Sequence, residues 1–444
     1  MISTPICDFA KAYEQSGAIR LHMPGHKGVS VLGLEGRDLT EIDGADVLYD
    51  AQGIIRESEE NARRLFDTGL TLYSTEGSSL CIRAMLYLVC LHARENGQKP
   101  LIAAARNAHK VFMTAAALLD VDIRWLFPKE PGSVVSCALD LADVERVLRE
   151  EHPTAVYVTS PDYLGHLADI PTLARLCHKH GALLAVDNAH GAYLRFLGRH
   201  PIQLGADLCC DSAHKTLPVL TGGAYLHIAK DAPELLHSHA QNALALFAST
   251  SPSYLILQSL DAANRSLADG FAADLASLAA ALDQAKKQLS AHGYAVWGDE
   301  PLKLTLAPKA MGWRGDELAI HLLSCGMVVE FADPDFVVMM FTPQNASAVD
   351  AVVRALCAVE KRPPIAQKPP VLQKPVQRMT PREAVMSVQQ RIPVSGAQGR
   401  VLATASVNCP PAVPIVVCGE EIDDSAVRCF RYYGIEQVYV VKDA

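Results

Sequence analysis

Between residues 100 and 230, short apolar runs alternate with polar loops and amphipathic stretches. "PLIAAA" leads into "RNAHK", "TAVYVTS" into "PDYLGHLADI", "ALLAVD" into "NAHGAY" and "ADLCCDS" into "AHKTLP", and "GGAYLHIA" follows. Apolar runs of that length, with no polar residue at every second place, are strands covered on both faces. Stretches such as "PTLARLCHKHG" have helical spacing and supply the crossovers. The chain is therefore expected to be α/β, with a mostly parallel sheet covered by helices. In such sheets ligands bind beyond the carboxyl ends of the strands, where the polar motifs of this region stand.

The rest of the chain divides around that region. Residues 1–20 have the spacing of a short amphipathic helix, an N-terminal arm, and 21–270 form a large domain. "IIRESEENARRLFD" (54–67) and "GSSLCIRAMLYLVCLHARENG" (77–97) read as helices, the second mostly apolar. Residues 255–296 read as one or two long helices, and 271–360 as a smaller α+β domain. "KRPPIAQKPPVLQKPVQRMTPREA" (361–384) is rich in proline and lysine, a semi-extended linker. A C-terminal domain, 385–444, holds a helix, the Pro-rich strand segment "CPPAVPIVVCGEEI" and a terminal strand "QVYVV".

Charge and thiols narrow the function. The formal charge of −9 and the lack of a Lys/Arg-rich run argue against a nucleic-acid partner. No apolar run reaches the roughly 18 residues that a spanning helix needs, so no membrane is expected. The start, "MISTPICDFAKAYEQSG", lacks the basic and apolar regions of a signal peptide. None of the 12 cysteines forms a C-x-x-C pair, and most sit in apolar runs. That is thiol usage of a reducing compartment, and a cytoplasmic protein is expected.

Lys215, in "CCDSAHKTLP", raises a chemical question. A free lysine has a pKa of about 10.4 and is protonated at neutral pH. It works as a nucleophile, or in a Schiff base, where its surroundings favour the neutral amine. A permanent aldehyde partner would be pyridoxal 5'-phosphate, which needs a carboxylate for its ring nitrogen, an anion site, a flat group over the ring and a route for substrate. Asp187, ending "LLAVD", suits the first. Gly77, Ser78 and Ser79 at a helix start suit the second, with Ser212 and His214 as further donors. His109 suits the third, and His190 could meet ring or substrate. Each also has an ordinary reading as a solvated loop residue or a helix cap. His22, His26, His237 and His239 show no zinc spacing, and no metal is expected.

Taken together, "LHMPGHKG", "TEGSSL", "ARNAHK", "TSPDYLG", "AVDNAHGAY", "DSAHKTLPVLTGGAYLHI" and "STSPSYLILQSLDAA" stand in the order found in the Orn/Lys/Arg decarboxylase family. The resemblance runs from residue 3 to about 360, and the tail from "PREAVMSVQQ" resembles the family's C-terminal domain. No receiver-like wing precedes "LHMPGHKG", so the chain resembles the short form. The resemblance implies the fold type I architecture of pyridoxal-phosphate enzymes, with a mostly parallel seven-stranded sheet, a smaller α+β domain and a C-terminal α+β domain. It makes Lys215 the Schiff-base lysine, His214 the histidine before it, Asp187 the partner of the pyridine nitrogen and His109 the stacking histidine. His190 would lie near the ring oxygen or the substrate carboxylate, and Ser78, Ser79 and Ser212 on the phosphate side. Ser249 and Thr250 would reach the neighbouring subunit's phosphate, which implies a homodimer or higher even oligomer.

The implied reaction is decarboxylation of a basic amino acid (arginine, lysine or ornithine) to an amine and carbon dioxide. Glu41, Asp43, Asp46 and Glu330 are candidates to receive the substrate's distal cation, or else solvated or capping groups. The chain departs from the family pattern at Asn188, Tyr193, Leu164, Ala213 and Gly222, which bears on substrate and reaction type. Another reaction of the same cofactor, transamination or aldol cleavage, and a silent cofactor-binding paralogue remain the alternatives.

Overall fold

The computed structural model describes residues 2–407 and 413–442. Cys409 and the prolines at the start of the expected strand segment lie outside the described residues. Seven strands, Leu70–Ser74 (β1), Leu101–Ala105 (β2), Asp122–Leu126 (β3), Ala155–Thr159 (β4), Leu183–Asp187 (β5), Leu208–Asp211 (β6) and Ala224–Ile228 (β7), form one sheet in the order β1-β7-β6-β5-β4-β2-β3. β7 runs antiparallel to both its neighbours, and β5–β6, β2–β3 and β2–β4 are parallel pairs. The α/β expectation holds.

Five of the seven strands match the apolar runs of the sequence. The other two were not among them, for a physical reason. β1, "LTLYS", mixes hydroxyl residues with leucine. β3, "DIRWL", is an edge strand whose Asp122 is exposed and whose burial is partial, so it needs no apolar run.

The chain separates into two compact units, Met1–Lys99 with Ile170–Ala273, and Pro100–Asp169 with Asp274–Ala444. In the first, helix Pro5–Gln15 (α1) packs on Ile54–Phe66 (α2), α2 packs on β1, and Gly77–Glu95 (α3) packs on β1, β5, β6 and β7. α1 is the expected N-terminal helix. α3 buries residues on most of its circumference, as its apolar sequence requires. Ser58 of α2 donates to Asp261 (2.6 Å), and Asn264 donates to Tyr73 of β1 (2.8 Å). This buried network ties α2 and β1 to the helix Tyr254–Ala268. That helix and Phe271–His292 are two, broken at Gly270, which takes a positive φ of 78°.

In the second unit, β2 leads through a short turn into helix Lys110–Leu119 (α4). An antiparallel four-stranded sheet spans residues 295–340. No regular element occupies residues 360–376, in keeping with the proline spacing. Helix Pro381–Met386 starts inside the expected linker, where Thr380 and Glu383 make a reciprocal cap. The C-terminal core gathers Ile415, Ile422, Phe430, Val438 and Val440, and strand Gln389–Pro393 pairs with Gln437–Val441. No described helix is long and apolar enough to cross a membrane.

Candidate active site

β5 and β6 are parallel neighbours with Asp187 opposite Cys210. Their carboxyl ends therefore deliver the two decisive motifs side by side. β5 ends in Asp187, which is 2 % exposed and accepts the N–H of Ala189 at 3.2 Å. The turn continues to His190, because Gly191 closes it by donating to the carbonyl of Asn188 at 2.7 Å. β6 ends in Asp211, and the short helix Ala213–Thr216 carries Lys215. Lys215 Nζ stands 3.0 Å from His190 Nε2.

The residues expected on the anion side lie in the same unit. Gly77 opens α3 with φ 70°, a conformation that favours glycine, and its N–H donates to the Gly222 carbonyl at 2.7 Å. Ser78 and Ser79 follow in the first helical turn, whose N–H groups have no carbonyl within the helix. Ser212 Oγ donates to Ser78 Oγ at 2.8 Å, so the two hydroxyls come together from different strand ends. His214 Nδ1 donates to the Gly223 carbonyl at 3.0 Å and its ring edge faces Gly77. Burial, helped by the charge of Lys215, holds His214 below its usual range, against the bond to the Gly223 carbonyl.

These residues suit pyridoxal phosphate. A buried carboxylate stands at one strand end, an amine at the next, and a long helix offers its N-terminus beside two hydroxyls. A phosphate there would meet free N–H groups and the positive end of the helix dipole.

The other residues singled out in the sequence have settings of their own. His109 belongs to the second unit, where it is the N-cap of α4 and its Nδ1 accepts the N–H of Val111 at 3.3 Å. Ser249 and Thr250 are exposed, and the Ser249 N–H donates to Glu76 at 2.7 Å. Asp46 is a cap: its oxygens accept N–H groups of Val47, Gln52, Gly53 and Ile55 at 2.8–3.0 Å. Against the cost of its partial burial, these bonds hold its carboxyl low. Glu330 is exposed and accepts the Tyr163 hydroxyl at 3.0 Å. Glu41 and Asp43 are exposed.

The departures from the family pattern have structural settings. Asn188 donates to Asp211 Oδ1 at 2.6 Å. Leu164, Tyr193 and Ala213 are fully buried. Gly222 sits at φ 102°, where a Cβ would meet the Thr75 carbonyl oxygen at 2.8 Å.

Asp211 itself was missed by the sequence reading. Its Oδ2 accepts from His200 Nε2 (3.0 Å) and His227 Nε2 (3.2 Å), all three fully buried. His200 Nδ1 accepts from the Ile202 N–H, and His227 Nδ1 accepts from the Thr71 hydroxyl, so each imidazole donates through Nε2. Burial opposes ionisation of Asp211, but the two imidazoles hold its carboxyl well below the usual range. The available signal was a histidine inside the apolar run "AYLHI", since a buried polar group needs a partner. His200, Cys209 and Asp211 could also hold a metal by proximity. The oxygens of Asp211 are instead taken up by these bonds.

The sequence matches two family patterns: Orn/Lys/Arg decarboxylase, major domain, over residues 4–295, and Orn/Lys/Arg decarboxylase, C-terminal domain, over 366–439. An arginine decarboxylase of Bacillus subtilis (strain 168) is 28% identical, the alignment covering 96% of this chain and 92% of that protein. One from Halalkalibacterium halodurans is 27% identical, covering 96% and 93%. Among solved structures, lysine decarboxylase A of Pseudomonas aeruginosa superposes with a TM-score of 0.79 at 17% identity, over 99% of this chain and 80% of that one. The Francisella novicida lysine decarboxylase gives 0.78 at 16%, over 99% and 81%. At such identities the structures speak for the fold.

Proposed function

The chain belongs to the Orn/Lys/Arg decarboxylase family, and from that premise we propose that it is a pyridoxal-phosphate enzyme that decarboxylates arginine. Decarboxylation of a basic amino acid follows from the family. The choice of arginine draws on the relatives that match over nearly their whole length. The observation that carries the cofactor reading is the meeting of Lys215 and His190 beside Asp187, with Ser78 and Ser212 at the helix start.

When bound, pyridoxal phosphate supplies an aldehyde for the amine and a protonated ring that takes up the electron pair left when carbon dioxide departs. Asp187 would keep the ring nitrogen protonated from its buried position. The first turn of α3, with Ser78 and Ser212, would hold the phosphate. His109 would lie over the ring. Carbon dioxide takes no proton with it, so the α-carbon must gain one. Lys215 Nζ and His190 Nε2, within hydrogen-bond distance, form the pair that holds and delivers that proton.

A homodimer would complete the site. Ile19, Leu21, Met23, Val29, Val31 and Leu32 are all more than half exposed in one continuous segment. Such a run of apolar surface marks an interaction face, and a second copy is the partner that the expected reach of Ser249 and Thr250 requires. The free cysteines suit the reducing cytoplasm.

The test is an assay of purified protein with pyridoxal phosphate and, separately, arginine, lysine and ornithine. Carbon dioxide release is followed and the organic product weighed by mass spectrometry. Agmatine from arginine, lost in Lys215→Ala, is the expected result. A keto acid instead of an amine would replace decarboxylation by transamination.

A further inference from the structure

Arg106 is the first residue after β2, and its N–H donates to the Leu126 carbonyl at 2.9 Å. Its guanidinium makes two parallel bonds of 2.7 Å to Glu420, Nη1 to Oε1 and Nη2 to Oε2. The two side chains are 1% and 2% exposed. The rings of Trp125 and Phe127 flank the guanidinium at 4.9 and 5.6 Å. Glu420 is itself fixed within the C-terminal core. Its Oε2 accepts the Val417 N–H at 2.8 Å, and its carbonyl accepts the Leu402 N–H at 2.9 Å.

The same C-terminal segment reaches the other end of α4. Arg382, in helix Pro381–Met386, donates Nη1 to the carbonyls of Leu118 (3.0 Å) and Ala117 (3.3 Å). These belong to the last turn of α4, whose carbonyls lack helical partners. Thus α4 is held at its C-terminal end by Arg382 and, ahead of its N-cap His109, by Glu420 acting on Arg106.

Burying an ion pair this completely does little for stability, because desolvation offsets the attraction, and well-packed apolar residues serve as well. What a bidentate fork adds is direction. We infer that Glu420 is a positioning residue: through Arg106 it fixes the turn 106–109 and so the orientation in which His109 is presented. The inference rests on the proposed place of His109 over the cofactor ring, and it gives the C-terminal segment a part in the reaction.

The experiment uses the full-length protein loaded with pyridoxal phosphate. The variants are Glu420→Gln, the apolar pair Arg106→Met with Glu420→Met, His109→Ala, and Glu420→Gln combined with His109→Ala. Amide hydrogen exchange over residues 106–112, the cofactor dissociation constant by absorbance titration and the thermal midpoint are measured. The apolar pair is expected to keep the midpoint while exchange at 106–112 quickens, so that a loss of position is told apart from a loss of stability. Glu420→Gln is expected to weaken cofactor binding roughly tenfold, the scale of a lost supporting contact. Adding His109→Ala should bring no further loss beyond that of His109→Ala alone. Unchanged exchange in Glu420→Gln and in the apolar pair overturns the inference, and so do losses that multiply. The reading of the site fails separately, as a His109→Ala protein that binds the cofactor like wild type; that result removes the purpose assigned to Glu420 even where exchange has quickened. Should the apolar pair fail to fold, Glu420→Gln, which keeps one acceptor, decides.

Discussion

Lys215 Nζ and His190 Nε2 lie 3.0 Å apart, brought together by adjacent parallel strands. His190 leaves β5 three residues after Asp187, and Lys215 leaves β6 four residues after Asp211. A contact between such loops depends on the strand register, which sets how the two strand ends lie beside each other. The proposed mechanism needs one proton to pass between amine and imidazole at this distance. His190→Gln, which cannot carry that proton, should lower kcat by about a hundredfold, within the usual range for a general acid or base. Steady-state kinetics read the outcome. A rise in KM with kcat unchanged would make His190 a substrate contact and not a proton carrier.

Glu59 offers a test of stability against pH. Burial pushes its carboxyl up to about 8, although the Tyr73 N–H bonded to it and the charge of Arg56 pull the other way. An unfolded glutamate titrates near 4.3. Between these values the folded state holds a proton that the unfolded chain has lost, so stability should fall as pH rises from about 4 to 8. Glu59→Gln keeps the shape and has no charge to bury. It should flatten that slope and raise stability at pH 8, by roughly 2–4 kcal/mol given a shift of several units. Urea unfolding of the two proteins at pH 5 and pH 8 measures the difference, which should be small at pH 5.

Asp211 has the opposite sign. Its folded carboxyl is held below the ordinary aspartate range by His200 and His227, against the effect of burial. The stability it contributes is present above the unfolded value of about 3.9 and is lost as pH falls below it. Asp211→Asn removes the anion that receives both imidazole N–H groups and should cost about 2–4 kcal/mol, as for a buried charged hydrogen-bond partner. Because Asn188 donates to the same carboxylate, the turn that carries His190 should also loosen. The check is the unfolding free energy at pH 7 with hydrogen exchange of residues 187–191. An unchanged turn would confine Asp211 to holding the strands.

Gly222 is one of the positions where the chain departs from the pattern it resembles. At φ 102°, with a Cβ 2.8 Å from the Thr75 carbonyl oxygen, a side chain is strained by both backbone and space. The Gly222 carbonyl receives the N–H of Gly77 at the start of α3, the helix proposed to hold the phosphate. Gly222→Gln should therefore lower stability by about 1–3 kcal/mol and weaken cofactor binding along with it. Thermal unfolding and a cofactor titration report both. A variant as stable as wild type would show that the loop has a second conformation open to larger residues.

The sequence made one side of this site readable and left the other obscure. Asp187 ends, and His190 and Lys215 closely follow, strands whose apolar runs are unmistakable, so their place at the sheet's carboxyl edge followed from the pattern, while their pairing needed the strand order. The Ser78–Ser212 pair was foreseeable in kind, since both residues flank such elements. Asp211, His200 and His227 were not, because their partnership crosses residues 200 to 227 and no local spacing encodes it. The bond from Arg106 to Glu420 spans more than 300 positions, which no reading of periodicity reaches. Asp46 shows the converse: between its two readings, receiver of a distal cation or cap, the sequence does not choose, and its oxygens accept backbone N–H groups as a cap does.

The proposed dimer has a test that separates it from a self-sufficient subunit. Ser249 and Thr250 are exposed on their own chain, where they are free to meet a second copy. Suppose Thr250 serves the neighbour's phosphate site. Thr250→Ala and Lys215→Ala would then each impair the homodimer, but by different routes. In a mixed dimer, the subunit with intact Lys215 receives an intact Thr250 from its partner, so one of the two sites is whole. Mixing the two variants under conditions that exchange subunits should restore activity toward one half of wild type in the mixed species. If Thr250 served its own subunit, the site with Lys215 would still lack it, and mixing would restore nothing. Sedimentation of Leu32→Asp adds a second reading. An aspartate within the exposed apolar segment should shift the protein toward monomer and lower activity in proportion, whereas a monomer that keeps full activity would remove the neighbouring subunit from the site.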